Sequence, residues 1–388
     1  MKIGCVIAYR KGHTNYGTSL VGYALIYKLR QLGYEVEVIN YIKRLNPLQK
    51  IAWAINAVRC GMGKSLLNRF VGRKNLKNMP SYAVNIAIRT AAVEAYKDQK
   101  LIPFFCNYVG YTDLCRGTQK YDAVVVGSDQ VWLPMGLPTK FFNLIFVADD
   151  VRRIAYASSF GVSEIPDFQK KATGAYLDRF YRIGVREQRG KEIVDALSHR
   201  EAKVVLDPTL LLDRKEWEKE IESSDISQEQ PYIFCYFLGT NQDSRKAVLD
   251  LKEKTGYKII TVRHMDEYVA DDEMFGDEAP YNMNPNDFVK YISQAAYVCT
   301  DSFHCSAFCI QFHKQFMTFY RFKASVQTGR NSRIDSLFNV LGVNREHIYN
   351  GDIDRIDLPI DWNVVDKRLE ALRTESVNFL TNALEGKA

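Results

Sequence analysis

Short apolar runs that end in polar or glycine-containing turns and lead into helical patterns recur along the whole chain. The run at residues 123–126 is apolar at every position, which is typical of a parallel strand covered on both faces. The alternation of such runs with helical patterns occurs twice, once in each half of the sequence. We therefore predict an α/β fold with two doubly wound, Rossmann-like domains that face each other across a cleft.

The length of 388 residues exceeds what one ordinary hydrophobic core organises, so two domains are expected. We predict an N-terminal α/β domain over 1–212 with a helical insertion at about 46–118, a linker over 213–230, a C-terminal α/β domain over 231–345, and a C-terminal segment over 346–388. The linker is rich in charge, Ser and Gln. A helix at about 363–384 is predicted to pack back across both domains.

The composition, 46% hydrophobic and 25% charged, is that of a soluble globular protein. No uninterrupted apolar run reaches the length of a membrane span. The eight cysteines show no short paired spacing, which favours free thiols in a reducing compartment. These features lead us to expect a cytoplasmic protein.

Positive charge is concentrated in one segment, residues 43–100. This segment holds twelve Lys or Arg against Glu94 and Asp98, although the whole chain carries only +6. Two interpretations stay open: a solvated helical insertion, or a surface that meets anionic lipid or a diphosphate at the inner face of the cell membrane. Nucleic acid is not an expected partner, because no recognised binding motif accompanies the charge.

The stretch at residues 297–306 carries the chemistry around which the two halves are expected to meet. An apolar run ends in Asp301, Ser302 and His304, and a helix-forming sequence follows. This pattern predicts a buried strand that delivers polar side chains to a helix start, at the sheet edge where ligands bind. The alternative is that Ser302 only caps the helix and His304 is a polar residue at a strand end.

Three other predicted strands also end in candidate site residues. Asn15 and Gly17 form a turn after the first strand, Asp129 follows the strand at 122–126, and Arg186 ends the strand at 183–186. The respective structural alternatives are a turn, a cap, and an ion pair of Arg186 with Glu187 or another carboxylate. The first turn lacks the Gly-x-Gly-x-x-Gly pattern, so dinucleotide binding has little support.

Six motifs in order resemble those of the polysaccharide pyruvyl transferase family. The signature is Thr300-Asp301-Ser302-Phe303-His304, preceded by Asn15-Tyr16-Gly17, Gly127-Ser128-Asp129-Gln130-Val131-Trp132, Tyr156-Ala157-Ser158-Ser159-Phe160-Gly161, Val185-Arg186-Glu187 and Leu206-Asp207-Pro208-Thr209. The resemblance implies a two-domain GT-B-like arrangement with the active site in the cleft. Cys305 stands where the family usually has Gly; if that Gly serves close backbone approach to the donor, Cys305 narrows the space there.

The resemblance implies pyruvyl transfer from phosphoenolpyruvate to two hydroxyls of a sugar in a lipid-linked repeat unit of a capsule or exopolysaccharide. The reaction forms a cyclic ketal, and needs an acid and anion-binding groups but no metal or other cofactor. The implied roles are catalysis by His304 and Asp129; donor binding by Arg186, Ser302, Phe303, His304, Cys305, Ser306 and Arg330; and acceptor binding by Asn15, Tyr16, Gly17, Ser128 and Asp129. Arg333 is a further candidate for the donor's anions.

Other functions are also consistent with the sequence. A GT-B glycosyltransferase that uses a nucleotide sugar is the alternative enzyme, and a sugar- or phosphate-binding protein without turnover is the alternative outside enzymes. A zinc site among Cys299, His304, Cys305, Cys309 and His313 is a weaker interpretation. Cysteines are often buried, this helix must bury one face, and the set has no Cys-x-x-Cys pair.

Overall fold

Two parallel sheets form the framework of the protein. A computed structural model of the chain describes residues 1–43, 47–61, 63, 67, 71, 81–265, 269–321 and 331–387. The strands are β1 (Lys2–Val6), β2 (Glu35–Ile42), β3 (Phe105–Val109), β4 (Ala123–Val126), β5 (Arg152–Ser158), β6 (Arg182–Val185), β7 (Ala202–Val204), β8 (Tyr232–Tyr236), β9 (Lys258–Thr261), β10 (Tyr297–Thr300) and β11 (Gln315–Thr318).

Helices connect these strands and cover the sheets. The α-helices in the described ranges are α1 (Tyr16–Gln31), α2 (Pro47–Arg59), α3 (Tyr82–Lys100), α4 (Tyr111–Gly117), α5 (Asp167–Leu177), α6 (Gln188–Leu197), α7 (Arg214–Glu220), α8 (Gln242–Thr255), α9 (Pro285–Gln294), α10 (Phe303–Gln311), α11 (Ser332–Leu341) and α12 (Trp362–Glu385). Within those ranges, no helix is long and apolar enough to cross a membrane.

The strand order creates a ligand-binding edge in each sheet. The first sheet runs β3-β2-β1-β4-β5-β6-β7 and the second β11-β10-β8-β9, with every pair parallel. Strand order reverses between β1 and β4 and again between β8 and β10. In open α/β sheets, the crevice beyond the carboxyl ends of such strands is where ligands bind. The predicted α/β fold with two doubly wound sheets is confirmed.

The two halves share a packed interface at the base of the cleft. The Tyr16 ring lies flat on Phe288, with centroids 4.9 Å apart and planes 4° apart. The fully buried Trp217 packs edge-on against Phe308 at 4.9 Å. Aromatic pairs in these arrangements add to the free energy that apolar burial provides. The two halves are therefore joined at the base of the cleft by packed aromatic side chains.

The C-terminal helix α12 contacts both halves. Arg373 donates through Nε to the carbonyl of Leu210 at 2.9 Å, and its Nη2 lies 3.5 Å from Oε1 of Gln311 on α10. The Ser376 hydroxyl accepts from the N–H of Leu206 at 3.0 Å. The predicted helix at 363–384 is present as residues 362–385, and it contacts chain segments from both sides of the cleft.

Two of the predicted connecting segments are more regular than expected. The insertion predicted to be helical contains β3, which pairs with β2 at the edge of the first sheet. The predicted linker contains α7, whose start is closed by a capping box between Asp213 and Glu216. The side chain of Trp217 in this helix is completely buried, so the helix is fixed to the core. The domain boundaries themselves remain a prediction.

Candidate active site

Three charged or titratable side chains from both halves converge where the sheets face each other. Arg186 follows β6, Asp207 follows the last strand of the first sheet, and His304 lies at the start of α10. Nη1 of Arg186 lies 2.9 Å from Oδ2 of Asp207 and 3.3 Å from Nε2 of His304. His304 Nε2 is 3.7 Å from the same Asp207 oxygen. The predicted meeting of His304 with Arg186 is therefore present in the structure.

His304 is positioned by a helix cap on one side and by a glycine on the other. The Ser302 hydroxyl accepts from the N–H of Cys305 at 3.5 Å, so Ser302 is the N-cap of α10. On the opposite side, a Cβ on Gly17 would lie only 2.2 Å from Nδ1 of His304. Because Gly17 has no side chain, the imidazole ring can occupy this space. Gly17 therefore permits the close approach of α1 to His304.

Asp207 is a buried anion that holds the neighbouring groups together. Its Oδ2 also accepts from the Ser128 hydroxyl at 2.8 Å, while Oδ1 accepts from the N–H and hydroxyl of Thr209. Burial opposes ionisation, but the contacts with His304, Arg186 and Ser128 lower the pKa of Asp207 far below its usual value. Asp207 therefore stays ionised at neutral pH and orients Arg186.

Asp129 lies close by in an unusual backbone conformation. Its φ is +90°, which costs energy in a residue other than glycine and is often found at functional sites. Oδ2 accepts from the Thr18 hydroxyl and Oδ1 from the N–H of Gln130, both at 2.8 Å. Burial alone would raise the pKa of Asp129. The charges of His304 and Arg186 and the two hydrogen bonds outweigh this effect, so the pKa of Asp129 lies below its usual value. An ionised Asp129 can accept a proton but is poorly suited to donate one.

Arg186 has hydrogen-bonding capacity that the described protein groups do not use. Its side chain is 1% exposed, and its guanidinium carbon lies 4.5 Å from the centre of the Phe303 ring. Nε lies 3.8 Å from Oε2 of the buried Glu187, so Arg186 is paired with both Asp207 and Glu187. Within the described part of the chain, however, neither Nε nor Nη2 has a partner at hydrogen-bond distance. Buried donors without partners are costly and call for an explanation. An anion bound beside Phe303 and His304 would supply the acceptors.

A small cavity next to Phe303 holds two more arginines. Asp301, Phe303, Arg321, Asn331 and Arg333 are among its lining residues. Arg321 donates through Nη2 to the Asp301 carbonyl at 3.1 Å. Burial and the charge of Arg186 lower the pKa of Arg333, so three cations lie near one another. Such a cluster is suited to a ligand with two anionic groups.

Several predicted site residues are bound within the protein instead. Tyr16 is 1% exposed, and its hydroxyl donates to the Met283 carbonyl, so its side chain packs the interface and does not face an acceptor. Asn15 caps α1 by accepting from the N–H of Thr18. The Ser128 hydroxyl is committed to Asp207. Of the predicted acceptor residues, Gly17 and Asp129 lie at the centre of the cleft.

The predicted donor contacts at the start of α10 also need correction. The side chains of Cys305 and Ser306 are fully buried, and the Ser306 hydroxyl pairs with that of Thr318. The N–H of Cys305 bonds Ser302 Oγ, and the N–H of Ser306 bonds the Ser302 carbonyl. Both N–H groups therefore already form hydrogen bonds at the start of α10. The Cys305 side chain belongs to the hydrophobic core.

The remaining predictions on this segment have separate outcomes. Arg330 lies outside the described residues. Three of the residues considered for a zinc site have other surroundings. Burial raises the pKa of the Cys299 and Cys309 thiols, and the His313 ring bonds the carboxylate of Asp366. Among the described residues, no group of three or more His, Cys, Asp or Glu is arranged to hold a metal ion.

The sequence contained signals for some of the residues that the prediction missed. Asp207 lies three residues after the end of a strand, as Asp129 does, but no role was predicted for it. Thr18, which anchors Asp129, lies in the first turn of α1 and looks like an ordinary helix residue. Arg321 follows the strand β11, which the prediction did not contain.

Comparison with known proteins identifies a family for this chain. The sequence model of the polysaccharide pyruvyl transferase family matches residues 15–321. The chain belongs to this family. The protein is thus a transferase, and polysaccharide pyruvyl transferase activity implies a sugar substrate. A search of curated proteins gave no match.

Solved structures similar to this pyruvyl transferase share its fold at low sequence identity. A Listeria monocytogenes protein assigned as a UDP-N-acetylglucosamine 2-epimerase is 8% identical, with TM-score 0.53 and coverage of 99% of this chain and 95% of that one. The Methanocaldococcus jannaschii UDP-GlcNAc 2-epimerase is 11% identical, with TM-score 0.50 and coverage of 92% and 90%. A lipopolysaccharide outer core galactosyltransferase is 10% identical, with TM-score 0.47 and full coverage of both chains. The two epimerase structures, with TM-scores of 0.53 and 0.50, share the overall fold of this transferase, which is GT-B-like.

Proposed function

We propose that this transferase moves the pyruvyl group of phosphoenolpyruvate to two hydroxyls of one sugar, forming a cyclic ketal and releasing phosphate. The observation that carries this proposal is the contact of His304 with Arg186. Nε2 lies 3.3 Å from Nη1, beside two buried arginine nitrogens that make no hydrogen bond to the described residues. A titratable proton carrier thus lies next to unsatisfied donors for an anionic substrate.

The donor carries a phosphate and a carboxylate, and three arginines line or adjoin the proposed donor position. Arg186 would hold the group nearest His304 through Nε and Nη2. Arg321 and Arg333 line the adjacent cavity and would hold the other anionic group. The guanidinium fork matches carboxylate and phosphate oxygens in pairs, which supports this assignment over single-point charge contact. Phe303 contacts Arg186 and lines the cavity, and its ring would pack on the enol carbon.

The reaction balances with one acid and one base. A proton added to the methylene carbon of phosphoenolpyruvate makes a methyl group and a cation-like centre at C2. One sugar hydroxyl attacks C2 and loses its proton. The C2–O bond to phosphate then breaks, and phosphate leaves with the electron pair. The second hydroxyl attacks C2, and its proton leaves with phosphate or solvent, which closes the ketal.

His304 and Asp129 suit these two roles. Imidazole can carry a proton near neutral pH, and His304 is next to the proposed donor position. Asp129 is anionic because its neighbours lower its pKa, so it would accept the proton of a sugar hydroxyl. In this scheme phosphoenolpyruvate is a co-substrate, and no metal or other cofactor is required. The GT-B-like fold alone does not favour the alternative of a nucleotide-sugar glycosyltransferase.

The test combines product mass with phosphate release. The purified protein is incubated with phosphoenolpyruvate and a panel of lipid-linked saccharides, and products are analysed for a pyruvate-sized mass gain. Phosphate released in step with that gain is the expected result. The variant His304→Gln serves as the inactive control. Sugar transfer from a nucleotide sugar, without consumption of phosphoenolpyruvate, would overturn the proposal.

We also propose that the acceptor is lipid-linked and that α2 contacts the cytoplasmic face of an anionic membrane, where capsule or exopolysaccharide repeats would be modified. Leu48, Ile51, Ile55 and Val58 lie on one face of α2 and are between 55% and 76% exposed. The opposite face, at Ala57, is fully buried. Lys50 and Arg59 on α2 are exposed. An outward apolar face with neighbouring cations is typical of helices that lie in a lipid interface.

Sedimentation with anionic vesicles tests this contact. We expect the protein to bind vesicles containing phosphatidylglycerol, and the double variant Ile51→Gln, Ile55→Gln to bind them less. Leu249→Gln is the matched control, because Leu249 is also exposed, at 49%, but lies on α8. Binding should weaken as salt rises. Equal sedimentation of the double variant and the control would contradict the membrane contact.

A further inference from the structure

A large open cavity lies beside Asp129 at the switch point of the first sheet. Its volume is about 510 Å³, within the roughly 300–1,000 Å³ of small-molecule sites. Its walls come from β2, from Phe105 on β3 and from the segments after β1 and β4, and they include Asp129 and Thr18. Of the residues predicted to bind the acceptor, Asp129 is the one that lines this cavity.

Aromatic rings from four segments line the cavity. They are Tyr9, Tyr41, Phe105, Phe141 and Phe142. The Tyr41 and Phe141 rings lie 5.5 Å apart, and Tyr9 packs edge-on against Phe105 at 4.7 Å. Ring pairs fixed in this way present rigid apolar surfaces. The apolar C–H face of a sugar ring fits such a surface, while its hydroxyls would reach Asp129, Thr18 and Asn40, which also line the space.

The rim of the cavity is positively charged. Arg10 and Lys43 line it and are exposed, and Asp129 is the acidic group among the described lining residues. Lys97 fixes the segment that bears Arg10, because its ammonium group donates to the carbonyls of Arg10 and His13. The two rim cations are therefore available to a ligand outside the aromatic wall. Charge-assisted contacts of this kind are suited to a phosphate.

We propose that this cavity binds the acceptor as a sugar that carries a phosphate on its anomeric carbon, with the reacting hydroxyls toward Asp129 and the phosphate on Arg10 and Lys43. This inference rests on the proposed function for the identity of the reacting end, but it concerns acceptor binding alone. Sugar linked to a polyprenyl diphosphate and sugar linked to a nucleoside diphosphate share this chemistry. A neutral glycan end does not.

Direct binding without phosphoenolpyruvate tests the proposal separately from catalysis. The 1-phosphates of glucose, galactose and N-acetylglucosamine are titrated into the protein by calorimetry, alongside the corresponding methyl glycosides. We expect at least one 1-phosphate to bind about tenfold or more tightly than its methyl glycoside, because hydrogen bonds to charged groups are among the stronger ones. Failure of pyruvyl transfer in the product assay would leave this result unaffected.

Variants assign the effect to the cavity. Lys43→Gln and Arg10→Gln should remove the preference for the 1-phosphate, while Tyr41→Leu should weaken both kinds of probe alike. Lys11→Gln is the matched control, since Lys11 is exposed in the same turn but does not line the cavity. Equal binding of phosphate and methyl probes, an unchanged preference in Lys43→Gln and Arg10→Gln, or no binding by any 1-phosphate would overturn the proposal.

A comparison of two larger ligands identifies the source of the phosphate. The sugar with the strongest 1-phosphate binding is tested as its UDP derivative and as its polyprenyl diphosphate in neutral vesicles. Tighter binding of either than of the 1-phosphate supports the proposed chemistry and names the carrier. Weaker binding of both than of the methyl glycoside would count against it, because the second phosphate and its carrier would then clash with the rim.

Discussion

Gly17 and His304, from opposite halves of the protein, occupy adjoining space that permits no side chain on the glycine. A Cβ on Gly17 would lie 2.2 Å from Nδ1 and 2.7 Å from Cγ of the imidazole. Gly17 lies in the first turn of α1, and His304 in the first turn of α10. The position of the proposed acid therefore depends on how the two halves are docked.

Gly17→Ala should lower turnover while leaving the protein folded. The added methyl group would displace the imidazole, and a misplacement of about 1 Å can cost about 10²-fold in rate. Alanine is otherwise favoured over glycine inside a helix, so a general loss of α1 is not expected. Turnover and melting temperature are compared with those of Gly136→Ala, a site with open space around it. Unchanged turnover in Gly17→Ala would show that His304 tolerates displacement.

His304→Gln should reduce turnover by about 10² or more, the usual scale for a general acid. Glutamine keeps hydrogen-bonding capacity near Arg186 and Asp207 but cannot deliver a proton. His313→Gln is the control, because His313 lies just after the same helix and bonds Asp366. Phosphoenolpyruvate binding is measured in both variants to confirm that the site remains intact. Near-native turnover in folded His304→Gln would exclude His304 as the acid.

The strand and helix pattern predicted the architecture because parallel strands buried on both faces are nearly pure apolar runs. The run at 123–126 became β4, buried at all four positions. The edge strand β3 escaped prediction because only Tyr108 is buried within it, so its apolar pattern is interrupted. Because β3 is only partly buried, its sequence lacks the continuous apolar run by which the other strands were predicted.

The candidate site was predictable where single residues follow strands, and less so where function arises from long-range packing. Arg186 and His304 were expected at strand ends and meet at 3.3 Å. Asp207 became significant only through its contacts with Ser128 and Arg186, which are 79 and 21 residues away. Tyr16 shows the opposite case, because its motif suggested a substrate contact but its ring packs on Phe288. No local pattern distinguishes these outcomes.

Arg186→Lys should raise the Michaelis constant for phosphoenolpyruvate by about tenfold, since it loses the donors at Nε and Nη2 but keeps a positive charge. The reason is that a lysine ammonium cannot bond Asp207 and a bidentate anion in the same geometry. Arg189→Lys is the control, because Arg189 lies nearby on α6 and pairs with the exposed Glu192. If neither the Michaelis constant nor turnover changes in Arg186→Lys, Arg186 has only a structural role.

Asp207→Asn should destabilise the protein at neutral pH by about 3 kcal/mol, because removing one partner of a buried ion pair leaves the charge of Arg186 undercompensated. The pKa of Asp207 in the folded protein is far below its usual value. A carboxylate of this kind contributes its stability above its unfolded pKa of about 3.9, and loses it as pH falls through the folded value.

The difference in unfolding free energy between the native protein and Asp207→Asn should therefore be constant between about pH 5 and 8 and shrink only below about pH 4. Urea unfolding at several pH values measures it. Asp149→Asn is the control, since Asp149 also pairs with arginines but its side chain is 86% exposed, where ion pairs contribute little. A difference that grows as the solution is acidified would mean that Asp207 is protonated in the folded protein and does not hold Arg186 by charge.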